Sequence, residues 1–182
     1  MRLITLYLFI ILLLTSAAES REGFWYVGAG GGATFLDDKD NAFVSIEEKS
    51  FTAKAYVGYR ASNYLAFELE YAYLGNYDFT IGSVEDTAEA QSLGANIVVM
   101  YPLIWDEIEL FTPLGLTAIK ADYGIRDKTT GGYKFGFGVA YTPTKVFTMK
   151  LGVEANFFSL RSGGDDFDQH IASVYGALQY NF

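Results

Sequence analysis

The sequence predicts an all-β fold, an eight-stranded antiparallel up-and-down β-barrel that spans a membrane. Three observations support this prediction. The chain begins with the layout of an export signal, eight later segments alternate apolar with polar or small residues, and the last of them ends on an aromatic residue, Phe182. Alternating side chains point to opposite faces of a strand. No later segment is apolar over the length of a membrane helix, so we expect strands to cross the bilayer.

The first 18 residues are predicted to be a secretory signal peptide. A short basic start, Met1-Arg2, precedes the apolar run Leu3 to Leu14 and the small residues Thr15 to Ala18, which is the three-part layout of such signals. We expect export by the Sec route and cleavage after Ala18, which leaves residues 19–182 as the barrel domain. The chain contains no cysteine, so neither a disulfide nor a lipid anchor on cysteine is expected.

The alternating segments follow one another along the mature chain. They are expected at about residues 24–36, 50–61, 64–77, 89–101, 107–121, 132–142, 146–160 and 171–182, each long enough to cross the hydrocarbon core as a tilted strand. Charged residues fall opposite the apolar face of these strands, at Lys54, Arg60, Glu68, Glu70, Glu107, Glu109, Lys134, Lys150 and Glu154. A soluble lipocalin-like barrel would enclose the apolar face, whereas a membrane barrel turns it towards lipid. Aromatic residues near both strand ends favour the membrane barrel.

The connectors alternate in length. Those near residues 62–63, 102–106 and 143–145 are tight, whereas those at 37–49, 78–88, 122–131 and 161–168 are longer. Outer-membrane barrels have short periplasmic turns and longer outside loops. We therefore place both termini and the tight turns on the periplasmic side.

The chain has more acidic than basic residues, which restricts the partners it can bind. The formal net charge is −9, which argues against nucleic acid because phosphates would be repelled. The acids concentrate in the predicted outer loops, where they keep the surface hydrated, contact a basic partner or bind a divalent cation. The candidate cation site is Asp165, Asp166 and Asp168, which follow two glycines. No cofactor and no other metal site are expected.

Four short motifs occur in a fixed order, namely WYVGAG at 25–30, FELEYAYLG at 67–75, ELFTPLG at 109–115 and VAYTP at 139–143. Their order and spacing resemble the OmpA-like and OmpX-like family of eight-stranded outer-membrane barrels. The resemblance implies surroundings of outer-membrane lipids and lipopolysaccharide, with delivery by periplasmic chaperones and insertion by the barrel-assembly machinery. It also implies that Phe182, with Tyr180, is an assembly signal. Some members carry a peptidoglycan-binding domain after the barrel; because this chain ends at Phe182, we expect the barrel alone.

The resemblance further implies a ring of opposed charges in the lumen that acts as a gate. Glu68 falls on one of its positions and Lys150 on its basic partner, but Val98 and Gly138 stand where a second base and a second acid are expected. We expect the gate to be incomplete or rebuilt within a lumen charge network of Lys54, Arg60, Glu68, Glu70, Lys134, Lys150 and Glu154. Eight strands enclose an interior that side chains can fill. Two interpretations stay open, a salt-bridged structural lumen and a narrow, gated porin-like pore for small solutes or ions, with inward glycines such as Gly28 and Gly138 leaving room.

An enzyme is the third hypothesis, because small outer-membrane barrels include lipid A modifying enzymes. The single histidine, His170, is three residues from Ser173, and positions three apart on a strand face opposite sides. Ser159 could approach it from the neighbouring strand. We expect no catalysis. The favoured function is an integral outer-membrane barrel that contributes to envelope integrity or surface interaction, with a host or surface ligand held by its acidic loops.

Overall fold

The computed structural model describes residues 23–38, 45–46, 49–81, 84–104, 107–122, 127–162 and 165–182. The predicted signal peptide lies outside these ranges, so its cleavage after Ala18 stays a prediction. Within the ranges that are described, no helix has the length and apolar character needed to cross a membrane.

The described chain is built from β-strands. They are β1 (Phe24–Asp38), β2 (Ser45–Ile46), β3 (Lys49–Arg60), β4 (Leu65–Ile81), β5 (Val84–Ile104), β6 (Ile108–Asp122), β7 (Asp127–Tyr141), β8 (Phe147–Ser162) and β9 (Asp165–Asn181). Each long strand pairs antiparallel with its neighbours, β1 pairs with both β3 and β9, and β4 pairs with β5. The eight long strands therefore close on themselves, and the predicted up-and-down barrel is confirmed. The short β2 pairs with the outer end of β4.

Side-chain parity decides between the two kinds of barrel. On β8, Met149, Leu151 and Val153 are about half or more exposed, whereas Lys150 and Glu154 point inward and are largely buried. The other long strands repeat this arrangement, with large apolar side chains outside and charged side chains such as Glu68, Glu109 and Lys134 inside. Glu107 is the exception to the predicted charged set: it lies in the turn before β6 and its side chain is exposed, so its expected place opposite the apolar face is wrong. A lipocalin-like barrel would have the opposite arrangement. The outward apolar face is the one that lipid can cover.

Aromatic rings gather at both ends of the outward face. At the end where Phe24 and Phe182 lie, the tilted rings of Trp25 and Tyr59 have centroids 5.2 Å apart, and the rings of Phe147 and Tyr180 are 5.5 Å apart. At the opposite end, the rings of Tyr133 and Phe157 stack at 5.0 Å. Two such girdles mark the two membrane interfaces.

The first and third tight turns are as predicted, since β4 begins five residues after β3 ends and β8 begins six residues after β7 ends. Residues 105–106 of the second tight turn lie outside the described residues, and three of the long connectors are shorter than predicted. Both Ala61 N and Ser62 N donate to Leu65 O, and Thr142 N donates to Glu107 O. The expected loops at 78–88, 122–131 and 161–168 are instead largely strand, because pairing continues to the pairs Ile81↔Val84, Asp122↔Asp127 and Ser162↔Asp165. Backbone groups pair whatever side chains they carry. The apolar alternation therefore ends before the hydrogen-bonded ladder does.

A β-bulge at Gly75 changes the parity of β4. The register shifts between Tyr73 and Gly75, and Gly75 has φ of +116°, a conformation that side-chain-bearing residues rarely adopt. Ser50 Oγ accepts a hydrogen bond from Asn76 N at 2.9 Å beside the bulge. Directly beyond the bulge Asn76 is exposed and Tyr77 is buried in the lumen, so the inward parity has changed from even to odd positions.

Replacing Gly75 with alanine should destabilise the barrel by roughly 1–3 kcal/mol, because alanine is strained at this φ and its methyl group would overlap the side chain of Ser50. The measurement is reversible urea unfolding in lipid vesicles. The control is Gly131→Ala, since a methyl group there meets nothing within 4 Å. Equal stability of the two variants would contradict the role assigned to the bulge.

The lumen as candidate functional site

Four charged side chains from four strands meet in the middle of the lumen. Lys54 Nζ on β3 lies 2.8 Å from Glu154 Oε2 on β8 and 3.2 Å from Glu70 Oε2 on β4. Lys134 on β7 donates to Glu70 Oε1 and lies 3.8 Å from Glu154 Oε2. Each of these side chains is at most 5% exposed. We name this group the charge quartet; its ion pairs join opposite walls of the barrel.

The aromatic ring of Tyr175 packs against the quartet. Lys54 Nζ lies 3.3 Å from the centroid of this ring, so the ammonium group has a π face as well as two carboxylates around it. Tyr175 lies on β9, which contributes no charge to the quartet.

A separate ion pair lies next to the quartet on its periplasmic side. Lys150 Nζ on β8 is 2.8 Å from Glu68 Oε1 on β4, and the hydroxyl of Tyr26 donates to the same oxygen at 2.9 Å. The Lys150 ammonium also lies 4.6 Å from the ring centroid of Tyr56 and 5.3 Å from that of Phe111. Aromatic faces therefore surround the cation, which stabilises it away from water.

Another ion pair, Arg60 with Glu109, lies at the periplasmic mouth. Arg60 Nη1 and Nη2 reach Glu109 Oε1 and Oε2 at 2.9 and 2.8 Å, which is a bidentate pair across the lumen. Arg60 also donates to the backbone oxygens of Ser62 and Asn63 in the first tight turn. This pair thus links a turn on one wall to the beginning of β6 on the other.

The positive and negative charges of these ion pairs are equal in number within the part of the lumen that the structure describes. Four cations, Lys54, Arg60, Lys134 and Lys150, face four anions, Glu68, Glu70, Glu109 and Glu154. A buried charge without a partner is costly, whereas a paired and hydrogen-bonded one is tolerated. The arrangement holds opposite walls together and fills the cross-section of the barrel.

Gly28 and Gly138 do not leave open room in the lumen, so the expectation is wrong at these two positions. A methyl group at Gly28 would overlap the ring of Tyr56, and one at Gly138 would overlap the ring of Phe111. The space beside each glycine is already filled by an aromatic side chain from a neighbouring strand. These two glycines thus make room for rings rather than for a water path.

The remaining predicted residues lie apart from this network. The side chains of Asp165, Asp166 and Asp168 lie outside those that the structure describes, so the cation site stays a prediction. His170 faces outward with its ring stacked on Phe157, whereas Ser173 faces the lumen, so the structure does not bring them together. Ser159 and His170 line one cavity of about 360 Å³ at the outer rim.

The two residues of the predicted assembly signal lie at the periplasmic end of the outward face. The ring of Phe182 contacts that of Tyr180 at 5.1 Å, and Phe182 N donates to Trp25 O at 2.9 Å. The closing strand is thereby tied to the first strand. The role of these residues as an assembly signal stays a prediction.

Three partners in the lumen were missing from the predicted network. Glu109 lies opposite the apolar face in the sequence, but the network omits it. Tyr26 and Tyr175 have the same inward parity as the charged residues, so alternation could have placed them in the lumen. Their pairing with Glu68 and Lys54 depends on how the barrel closes, which parity does not reveal.

A closed barrel with an apolar exterior, two aromatic girdles and an ion-paired interior is the architecture of an outer-membrane β-barrel. The chain matches the OmpA-like transmembrane domain over residues 20–157. It therefore belongs to the OmpA-like transmembrane domain family, and it is an integral protein of the bacterial outer membrane.

Known relatives agree with this assignment. The chain is 31% identical to outer membrane protein A of Escherichia coli O157:H7 over 144 residues, which cover 74% of this chain and 40% of that protein. It is 30% identical to the same protein of Serratia marcescens over 154 residues, 74% of this chain and 42% of that one. The chain thus spans about two fifths of the length of these relatives.

Solved structures share the fold at lower identity. Neisserial surface protein A superposes with a TM-score of 0.69 at 18% identity, covering 89% of this chain and all of that one. The attachment invasion locus protein Ail of Yersinia pestis, in complex with sucrose octasulfate, gives a TM-score of 0.55 at 14% identity with the same coverage.

Removing one cation of the quartet should destabilise the barrel strongly. We expect Lys134→Met to cost about 3–5 kcal/mol of unfolding free energy, because two carboxylates then share one buried lysine. Adding Glu70→Gln restores neutrality, so the double variant should be more stable than the sum of the two single changes predicts, by about 1–3 kcal/mol. The measurement is a double-mutant cycle from urea unfolding in vesicles.

The exposed Lys145 in the third tight turn provides the control. Its replacement by methionine should change the unfolding free energy by about 0.5 kcal/mol or less. Additive effects of the Lys134 and Glu70 substitutions would show that the quartet does not act as a unit.

Proposed function

We propose that this chain is a structural outer-membrane barrel that contributes to envelope integrity and presents its outer end for contact with a basic partner. The observation that carries the proposal is the balanced, ion-paired lumen. Side chains that bridge opposite walls strengthen a barrel but obstruct transport through it. The functional surface is then the outer end, where the connections of such barrels vary.

The charge of the outer end indicates the kind of partner. The predicted outer connections contain the runs Asp37-Asp38-Lys39-Asp40, Glu47-Glu48 and Asp165-Asp166-Phe167-Asp168. Acidic surfaces attract cationic partners and repel anionic ones. Ail is described in complex with a heparin analogue, sucrose octasulfate, which is strongly anionic. Because the outer connections of this chain are acidic, we propose that it prefers a cationic partner.

The proposal also includes how the barrel reaches and occupies its membrane. Periplasmic chaperones would deliver the unfolded chain, and the barrel-assembly machinery would recognise Phe182 and Tyr180. Phospholipid and lipopolysaccharide would then cover the apolar exterior. The acidic residues Asp165, Asp166 and Asp168 are candidates for a divalent cation as well as for a partner.

Charge neutralisation at the outer end tests the surface proposal. Vesicles of zwitterionic lipid that contain the barrel should bind polylysine-coated beads and not heparin-coated beads, and rising salt should weaken this binding by screening. Replacing Glu47 and Glu48 with glutamine and Asp165, Asp166 and Asp168 with asparagine should reduce the bound fraction several-fold, because about five negative charges are lost.

The Lys134→Met/Glu70→Gln variant is the matched control, since it changes only the lumen. Equal binding of polylysine beads by the neutralised and unaltered barrels would overturn the surface proposal. Preferential binding of heparin beads would do the same.

The second candidate function is a narrow gated pore, and one observation favours it. Glu68 and Lys150, the pair expected from the family resemblance, are in contact at 2.8 Å, and a single ion pair of this kind could open and close. Under the structural proposal, neither the unaltered barrel nor Lys150→Gln produces current steps in planar-bilayer recordings. Steps that become more frequent in Lys150→Gln would favour the pore.

A further inference from the structure

The outer part of the lumen holds a cluster of apolar side chains. Its members, which we name the apolar cap, are Ala72, Leu74, Tyr77, Ala90, Ile119, Phe158 and Ile171, with Leu36 packed against them. Leu74, Ile119 and Ile171 are at most 1% exposed. The members come from β1, β4, β5, β6, β8 and β9, so the cap crosses the lumen rather than lining one wall.

Thr34 beside the cap and Tyr77 within it both have partners for their hydroxyl groups. Thr34 Oγ1 and the hydroxyl of Tyr77 each donate to Leu74 O at 2.8 Å. The bulge at Gly75 makes this arrangement, because it turns Tyr77 inward just after Leu74. The cap therefore offers water little to bind, and apolar enclosures of this kind stay dry.

The layer directly below the cap has the opposite character. Thr117, Asn156 and Ser173 each lie two residues from a cap member on the same strand, one inward position nearer the periplasm. Their oxygens Oγ1, Oδ1 and Oγ, and both amide atoms of Asn96, are buried without a hydrogen-bonding partner among the described residues. Buried polar atoms normally have a partner, and water is the usual one when protein supplies none. This layer is suited to hold water.

The periplasmic end of the lumen is also polar. A cavity of about 340 Å³ opens there, and Arg60, Glu109, Thr148 and Asn181 are among the residues that line it. The two ends of the lumen thus differ, with a polar mouth towards the periplasm and an apolar barrier towards the outside.

We infer that the apolar cap is a dehydrated seal, which closes the lumen to water and ions from the outside whatever the state of the Glu68–Lys150 pair. Ions lose their hydration in an apolar constriction and gain no partner there, so they are excluded. The seal assigns control of permeation to the cap residues rather than to the ion pair. This inference uses the membrane-inserted barrel of the proposed function but not its surface contact.

Thiol accessibility from outside tests the seal, and the absence of native cysteine makes single-cysteine variants unambiguous. Thr117→Cys places the probe directly below the cap, and Thr129→Cys, at an exposed position on the outer part of β7, is the accessible reference. A charged, membrane-impermeant methanethiosulfonate reagent is added outside intact cells that carry the barrel. We expect rapid modification at position 129 and none at 117.

Opening the cap should admit the reagent. Ile119→Ser/Ile171→Ser, added to Thr117→Cys, should raise the modification rate by about tenfold or more, because hydroxyls and lost volume let water into the constriction. Val98→Ser, a buried lumen position outside the cap, should leave the rate unchanged. Ile171→Ser alone is measured in parallel, and heat-dependent gel migration checks that each variant is folded.

Two results would overturn the inference. One is modification of Thr117→Cys from outside at the rate of Thr129→Cys with the cap intact. The other is an unchanged rate in the folded cap variants. Neither result bears on bead binding by the outer end, so failure of the seal and failure of the proposed function are distinguishable.

Discussion

The rest of the structure depends on the closure of the sheet. A strand within a membrane has no water to bind its N–H and C=O groups, so every edge must find a partner. Pairing of β1 with β9, from Tyr26↔Asn181 to Asp38↔Gln169, removes the last edges. Closure also separates the two faces of the sheet, so that one face of every strand lines the lumen and the other meets lipid. The charged side chains are inside because the apolar ones must meet lipid.

The fold and the content of the lumen follow from periodicity. Lys54, Glu70, Lys134 and Glu154 all lie opposite the apolar face, so their inward position could be predicted. Which charges meet could not be, because Lys54 and Glu154 are 100 residues apart in sequence and their contact depends on the stagger of all the strands between them. The pairing of Glu68 with Lys150 is predicted by the family resemblance rather than by periodicity.

Two other features lie beyond what alternation can reveal. The outer hairpins extend past the predicted strand ends, because pairing of the backbone needs no pattern of side chains. The bulge at Gly75 reverses the parity of the residues that follow it, so Tyr77 enters the lumen although it lies at an odd position, which faces lipid in the first half of β4. A glycine in a strand signals that a bulge could occur. Only the register of β5 shows that one does.

The cross-lumen ion pairs have a consequence for assembly. Lys54–Glu154, Lys134–Glu70 and Lys150–Glu68 connect strands that are far apart along the chain. None of these three contacts can form while the sheet is open, so a half-built barrel would lack the ion pairs that join its opposite walls. Contacts of such long range form late and make folding slow, but interactions that are absent from the transition state also slow unfolding. The ion pairs of the lumen should therefore make the finished barrel unfold slowly, which gives it kinetic stability in addition to its equilibrium stability.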